Sequence, residues 1–167
     1  MPTDELESLL AALESMPACL AAAAEALGPD GATRVPAAGS FCLVEHVWHL
    51  ADLELEGYAV RLARLRTEEH PQLSDFDGDR IARERAYRTL SLEAGLAAFA
   101  RARAANVQTL RGIDTSEWLR EGTQDGVGAV RLADIPRMMV AHDAGHRAEL
   151  RALLSGEAGR SYESACA

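Results

Sequence analysis

Lysine is missing from this sequence of 167 residues, in which all 17 basic residues are arginine. Aromatic residues are also few, at 5%, so a folded core has to be built mainly from aliphatic side chains. Positive charge is in deficit, because 26 acidic residues bring the formal net charge to −9. Nucleic-acid binding depends on a basic surface, and this balance argues against nucleic acid as a partner.

Cysteine and long hydrophobic runs are scarce as well. The three cysteines, Cys19, Cys42 and Cys166, show neither C-x-x-C nor zinc-finger spacing, and we expect a reducing compartment. No apolar run approaches the roughly 20 residues that cross a bilayer. The acidic start, Met1 to Glu5, is unlike a signal peptide. The sequence therefore predicts a cytoplasmic protein without a membrane partner.

Alanine, by contrast, is abundant, and its 32 residues favour helices together with leucine, arginine and glutamate. Apolar positions at helical spacing predict four long helices and a short one, over 4–27, 40–69, 80–90, 92–111 and 132–155. Pro17 is expected to kink or briefly break the first helix, and Ser91 to cap the fourth. No strand pattern is evident, and residues 112–131 are expected to form a long loop. The sequence predicts one all-α domain, a four-helix bundle over 1–156, with a flexible tail over 157–167.

Two of the five histidines, His142 and His146, stand four residues apart in the last predicted helix. This spacing places both imidazoles on one helix face, about 5–6 Å apart at Cβ, close enough to hold one metal ion. Apolar residues of the same face predict that it turns inward: Ile135, Met139, Leu150 and Leu153. Two buried imidazoles are also compatible with ordinary core residues bonded to backbone or carboxylates, and that alternative stays open.

The second predicted helix carries His46 and His49. His49 lies off the main apolar face, beside Glu45 and Asp52. It can therefore bind a metal together with the last helix only if this side borders a cleft next to that helix. It then supplies a third nitrogen, and Asp52 or Glu45 is a candidate for orienting its ring. Three neutral imidazoles suit zinc or nickel and leave a coordination position for water or substrate.

Two other metal chemistries fit less well. A di-iron bundle needs two Glu-x-x-His pairs, and no glutamate stands three residues before a histidine here. A zincin peptidase needs His-Glu-x-x-His, whereas this sequence has the shorter Asp143 in the second position. The spacing therefore excludes the first class and disfavours the second.

The segments FCLVEHVWHLADLE (41–54) and HDAGHR (142–147) resemble the DinB-like superfamily, the DinB/YfiT group of metal-binding four-helix bundles. They are similar to its W-S-x-x-E-h-x-x-H-L-x-D-x-E segment and its terminal H-x-x-x-H-R. The resemblance implies that the metal ligands are His49, His142 and His146, with His46 a neighbour. Departures from the pattern lie outside this triad, at Phe41, Cys42, Gln124 (where many relatives carry His) and Arg131.

Some members of this superfamily are thiol-dependent transferases or isomerases. The resemblance therefore implies a metal-dependent enzyme on small molecules, which transfers a thiol such as bacillithiol or mycothiol. Arg83 and Arg147 are candidates for binding an anionic substrate. Bundles of this family often pair side by side, so we expect a homodimer. Two alternatives stay open. One is a metal-dependent hydrolase with Asp52, Glu45 or Asp143 as general base, and the other is a non-catalytic bundle that binds metal or dimerises.

Overall fold

A computed structural model of the chain describes residues 1–37 and 39–154, together with Tyr162 and Cys166. Helical segments dominate it: α1 (Thr3–Gly31), α2 (Leu43–Asp52), α3 (Ala59–Thr67), α4 (Gly78–Glu84), α5 (Leu92–Arg111) and α6 (Ile135–Leu153). A π-helical turn, Leu53–Tyr58, joins α2 and α3 into one rod. This rod, α1, α5 and α6 are the four long elements, so the predicted all-α four-helix bundle is confirmed.

The first helix runs through Pro17 without the expected break, and Gly28 is the residue within it that has non-helical dihedrals, with φ 65°. By length and composition α1 is apolar enough to cross a membrane, which the sequence analysis did not anticipate. The core helix of a soluble protein passes the same test. One face of α1 is buried in the bundle: Leu10, Leu13, Met16, Leu20 and Ala23.

The rod of α2 and α3 begins with a capping box, in which Glu45 accepts a hydrogen bond from the backbone N–H of Cys42 at 2.9 Å. The prediction of a single helix over 40–69 missed the π-helical turn. At Gly57, within this turn, an added Cβ would crowd the end of the Leu53 side chain, at 2.5 Å from Cδ1. Both Glu54 and Tyr58 of the turn are buried, so it directs two polar side chains into the bundle.

A small sheet occupies part of the region predicted as a loop. Its strands are β1 (Gln72–Leu73), β2 (Glu121–Gln124) and β3 (Gly128–Arg131), in the order β1-β2-β3. The pair β2–β3 is antiparallel and β1 is parallel to β2. Asp125-Gly126 at the hairpin, with φ 73° at Gly126, is a turn signal that the sequence analysis passed over, since strands of four residues show little alternation. The sheet presents Gln124 to the bundle interior.

A buried ion cluster, Glu54–Arg103–Asp143, crosses the bundle. Arg103 Nη2 lies 2.9 Å from Asp143 Oδ1 and 2.9 Å from Glu54 Oε1, and Arg103 Nη1 donates to the carbonyl of Leu13 at 3.1 Å. It connects α1, the π-helical turn, α5 and α6. Removing Arg103 would leave two uncompensated buried carboxylates, which is strongly destabilising.

Cysteine pairing departs from the expected reducing setting, because Cys19 and Cys166 form a disulfide with their Cα atoms 5.2 Å apart. Cys42 is free and buried, and burial raises the pKa of its thiol. Most of the predicted tail, 157–161, 163–165 and 167, lies outside the described residues. The two described residues of this segment contact the bundle, since Tyr162 is fully buried and Cys166 is bonded to α1. The cytoplasmic location stays a prediction.

Candidate metal centre

Three histidines from two elements meet beside the bundle axis. His49 comes from α2, and His142 and His146 come from successive turns of α6. One nitrogen from each ring lies within 4.8 Å of the others, and the Nε2 atoms of His49 and His142 are 3.5 Å apart. The structure thus brings together the three residues that the sequence analysis selected.

The spacing and protonation of these rings fit a metal ion. In a tetrahedral site with metal–nitrogen bonds of about 2.0–2.1 Å, two ligating nitrogens lie about 3.3 Å apart, close to the observed 3.5 Å. Burial lowers the pKa of all three imidazoles, that of His142 to about 4 and that of His146 to about 2. The rings are therefore neutral at pH 7, which is the form that binds metals.

The ring of His49 packs against aromatic neighbours, and it occupies space that a side chain at the start of α4 would otherwise fill. Its ring packs near Phe41 and Phe76, with centroid distances of 5.7 and 5.8 Å. The first residue of α4 is Gly78, and a Cβ at that position would stand 2.6 Å from Nδ1 of His49. Glycine at the start of α4 therefore makes room for the imidazole.

His146 has polar neighbours on its other side. Its Nδ1 lies 2.9 Å from Oε2 of Glu149 and 3.0 Å from Nδ1 of His46. Because Nδ1 is occupied in this way, Nε2 is the nitrogen left for a metal. A carboxylate that accepts the other ring N–H is the usual support of a metal-bound histidine. Glu149 was not among the residues predicted from the sequence, although its position three residues after His146 places it on the same helix face.

The two carboxylates expected to orient His49 lie elsewhere. Asp52 accepts hydrogen bonds from Nη1 of Arg85, at 2.6 Å, and from the hydroxyl of Tyr87. Glu45 closes the cap of α2 and pairs with Arg88. Their roles in the described structure are therefore structural, which corrects the expectation that one of them supports the ring. Nδ1 of His49 has no hydrogen-bond partner in the described part of the chain.

Two of three further candidates from the sequence are also placed away from the triad. Asp143, considered as a general base, belongs to the buried ion cluster with Arg103. Arg147, considered for an anionic substrate, bonds instead to Ser15 at 2.7 Å and to Cys19 on α1. Arg83 is exposed and lines a neighbouring depression with Asp79 and Glu45. Of these, only Arg83 remains near the site.

Two cavities meet at the histidines. The first, of about 510 Å³, is bordered by all four of the clustered histidines and by the carboxylates of Asp79 and Glu149. The second, of about 420 Å³, is bordered by His49 and His142 and reaches Arg61 and Gln124. Arg61 was not among the residues predicted from the sequence. It stands three residues after Tyr58, on the apolar face of the rod, where an arginine is unusual.

These features define a helical-bundle protein with a candidate three-histidine metal centre. A model of the DinB superfamily matches residues 12–150 of the chain. The chain therefore belongs to the DinB superfamily, as its motifs indicated. A comparison with curated proteins gave no significant match.

Among solved structures, the chain is similar to YfiT from Bacillus subtilis, which is described as a probable metal-dependent hydrolase with an unusual four-helix bundle topology. The TM-score is 0.82 at 21% identity, over 92% of this chain and 87% of that chain. At this identity the likeness shows the shared fold. The histidine cluster of this chain is compatible with a divalent metal ion and does not specify which one.

Proposed function

We propose that the chain is a metal-dependent transferase that joins a small thiol to an electrophilic small molecule, with zinc or nickel held by His49, His142 and His146. The observation that supports this most is the pair of cavities that meet at His49 and His142. A transferase needs space for two substrates at one reactive centre, whereas hydrolysis needs space for one substrate and a water molecule.

When bound, a divalent ion at this centre supplies positive charge that favours the thiolate form of a thiol. The chain's own contribution is to hold three neutral imidazoles at ligand spacing and to shield the centre with Phe41 and Phe76. Addition of the thiol to an electrophilic double bond needs no oxidant. Sulfur bonds to one carbon, and the thiol proton ends on the other. No general base is needed at the sulfur, which fits the structural roles of Asp52, Glu45 and Asp143.

Hydrolysis is the second candidate, and Asp79 favours it. This exposed carboxylate borders the first cavity, and its charge opposes the lowering of the His49 pKa by burial. Asp79 is then the general base that takes a proton from water. The description of YfiT as a probable hydrolase supports the same alternative.

Spectroscopy of the cobalt- or nickel-substituted protein separates these functions. We expect millimolar 2-mercaptoethanol to add a sulfur-to-metal absorption band in the wild type. His142→Ala is expected to lose both metal and band. His70→Asn is the matched control, because His70 is exposed and its φ of 48° suits asparagine. Metal bands that never respond to thiol would overturn the transferase, and a turnover loss in Asp79→Asn would then support hydrolysis.

The choice of ligand within α2 needs its own variants. We expect His49→Ala to lose metal and His46→Ala to keep it, because Nδ1 of His46 contacts His146 from the side opposite to the proposed ion. Equilibrium dialysis with zinc measures both affinities. The reverse result would show that His46, not His49, is the ligand.

We also propose a homodimer. Leu55 and Val60 of the α2–α3 rod are large hydrophobic side chains that are 52% and 45% exposed, and we propose that they take part in the contact. Sedimentation equilibrium is expected to give twice the chain mass of 17.9 kDa. A mass equal to that of one chain would reject the dimer.

A further inference from the structure

The second cavity contains a buried arginine whose charge is poorly matched by the chain. Arg61 is 5% exposed, and its Nη2 donates to the carbonyl of Ser74 at a long 3.3 Å. Its nearest carboxylate in the described structure is that of Asp75, 4.0 Å away and largely in solvent. Its Nε has no partner among the described residues. A buried guanidinium is unfavourable unless its charge and N–H groups are matched, so this side chain favours an added anion.

Arg103 shows how the same fold matches a buried arginine that has a structural role. Its Nη atoms reach two buried carboxylates and a backbone carbonyl, all within 3.1 Å. Arg61 is buried to a similar extent but lines a cavity of about 420 Å³. The difference in partners indicates that Arg61 serves a ligand rather than the core.

A second polar group faces the same cavity. Gln124 at the end of β2 is 4% exposed, and its Oε1 has no hydrogen-bond partner in the described chain. Strand β2 is fixed closely, because a Cβ at Gly122 would lie 2.5 Å from the carbonyl oxygen of Pro71. An amide oxygen accepts hydrogen bonds, and a buried one needs a partner. A ligand in this cavity is therefore expected to carry a hydroxyl or N–H donor.

The remaining wall places such a ligand next to the histidines. His49 and His142 border the cavity, and its apolar lining is formed by Leu53, Phe76 and Met138. We propose that this cavity binds a small carboxylic acid that also carries a hydroxyl or amide N–H. Arg61 pairs with the carboxylate and Gln124 accepts from the donor. The assignment of this cavity as the substrate site rests on the proposed function. Binding of the acid to the cavity is independent of that function.

Lactate and propionate are matched probes, because they differ by the hydroxyl that Gln124 is proposed to bind. We expect lactate to shift the amide NMR signals of Arg61 and Gln124 in both metal-free and zinc-loaded protein. Arg61→Met is expected to weaken lactate binding about 10- to 100-fold, in keeping with a lost hydrogen-bonded charge pair. Arg64→Met is the matched control on the same helix, since Arg64 is paired with Glu68 at the surface. Gln124→Leu is expected to remove the preference for lactate over propionate.

Several outcomes would overturn the inference. Unchanged lactate binding in Arg61→Met excludes the pairing, and loss in His142→Ala alone shows that lactate ligates the metal. Inorganic phosphate that binds as tightly as lactate, and equally through Arg61, indicates a general anion site. If Arg61→Met does not fold, Arg61→Lys replaces it, and unchanged binding without the planar fork contradicts the model of recognition. Arg61-dependent lactate binding without any thiol response rejects the proposed transferase but keeps this inference.

Discussion

Two polar clusters in the bundle share α6, and adjacent residues of that helix belong to them. Asp143 points into the ion cluster with Arg103 and Glu54, whereas His142 points into the histidine cluster. In the ion cluster only Nε of Arg103 lacks a hydrogen-bond partner among the described residues. In the histidine cluster Nδ1 atoms of both His49 and His142 lack one. The charges of the first cluster are paired within the chain, whereas the Nε2 atoms of His49 and His142 in the second lie 3.5 Å apart, at the spacing of metal ligands.

This difference separates a structural cluster from a functional one. Both clusters are buried and polar, and sequence position alone does not distinguish them. What distinguishes them is that the histidines border open cavities, while the ion cluster is enclosed by four elements. Unsatisfied polar groups beside a cavity are therefore the stronger sign of a binding site.

The largest expected effect comes from opening the ion cluster. Arg103→Met leaves two buried carboxylates without their partner, and we expect the free energy of unfolding to fall by about 3–5 kcal/mol. Urea denaturation of the metal-free protein measures this change. The triple variant Glu54→Gln, Arg103→Met, Asp143→Asn removes every charge of the cluster and is expected to recover most of the loss. A single variant as stable as the wild type would show that the cluster is not a unit.

Crowding the histidine cluster is expected to have a smaller effect, on metal affinity rather than on stability. In Gly78→Ala the added Cβ displaces the His49 ring, and we expect zinc affinity to fall about 100-fold, at the upper end for a disturbed ligand. Gly145→Ala is the matched control, because a Cβ there meets no heavy atom within 4 Å although the residue also borders the first cavity. Equal affinities in the two variants would contradict the role of Gly78.

A third prediction concerns Glu149, whose carboxylate lies next to the ring of His146 on the side away from the proposed metal. Glu149→Ala removes the acceptor of the His146 Nδ1 proton, and we expect zinc affinity to fall about 10-fold. Glu149→Gln keeps an accepting oxygen and is expected to retain most of the affinity. Nitrogen-15 NMR of the metal-free protein reports the tautomer of His146 directly. An unchanged tautomer and affinity in Glu149→Ala would remove this residue from the site.

The smallest effect on stability is expected when a polar group without a hydrogen-bond partner is removed from the metal-free protein. His142→Leu replaces a ring whose Nδ1 is unpaired by an apolar side chain of similar size. We expect the free energy of unfolding to change by less than about 1 kcal/mol while zinc binding is lost. Thermal unfolding with and without zinc tests both statements. Destabilisation as large as that of Arg103→Met would place His142 in the structural class.

The sequence was sufficient for the bundle and for the shared face of His142 and His146, because both follow from helical periodicity. His142 and His146 share a face through their spacing alone, and the family motif placed His49 opposite them. The supporting residues were not predictable in this way. Helical spacing places Asp52 one turn after His49, on the same face. In the structure its carboxylate instead accepts hydrogen bonds from Arg85 and Tyr87. Arg61 and Gln124 reach the site through the π-helical turn and the small sheet, which short-range patterns do not reveal.

The ion cluster also limits how this chain can change over generations. The cluster holds one positive and two negative charges, so replacing Arg103 alone leaves two buried carboxylates without a counter-charge, and drift at this position is blocked unless stability is in excess. Related chains that lack the arginine are therefore expected to lack both carboxylates as well. Substitution patterns across relatives should show the three positions, far apart in the chain, inherited as one unit.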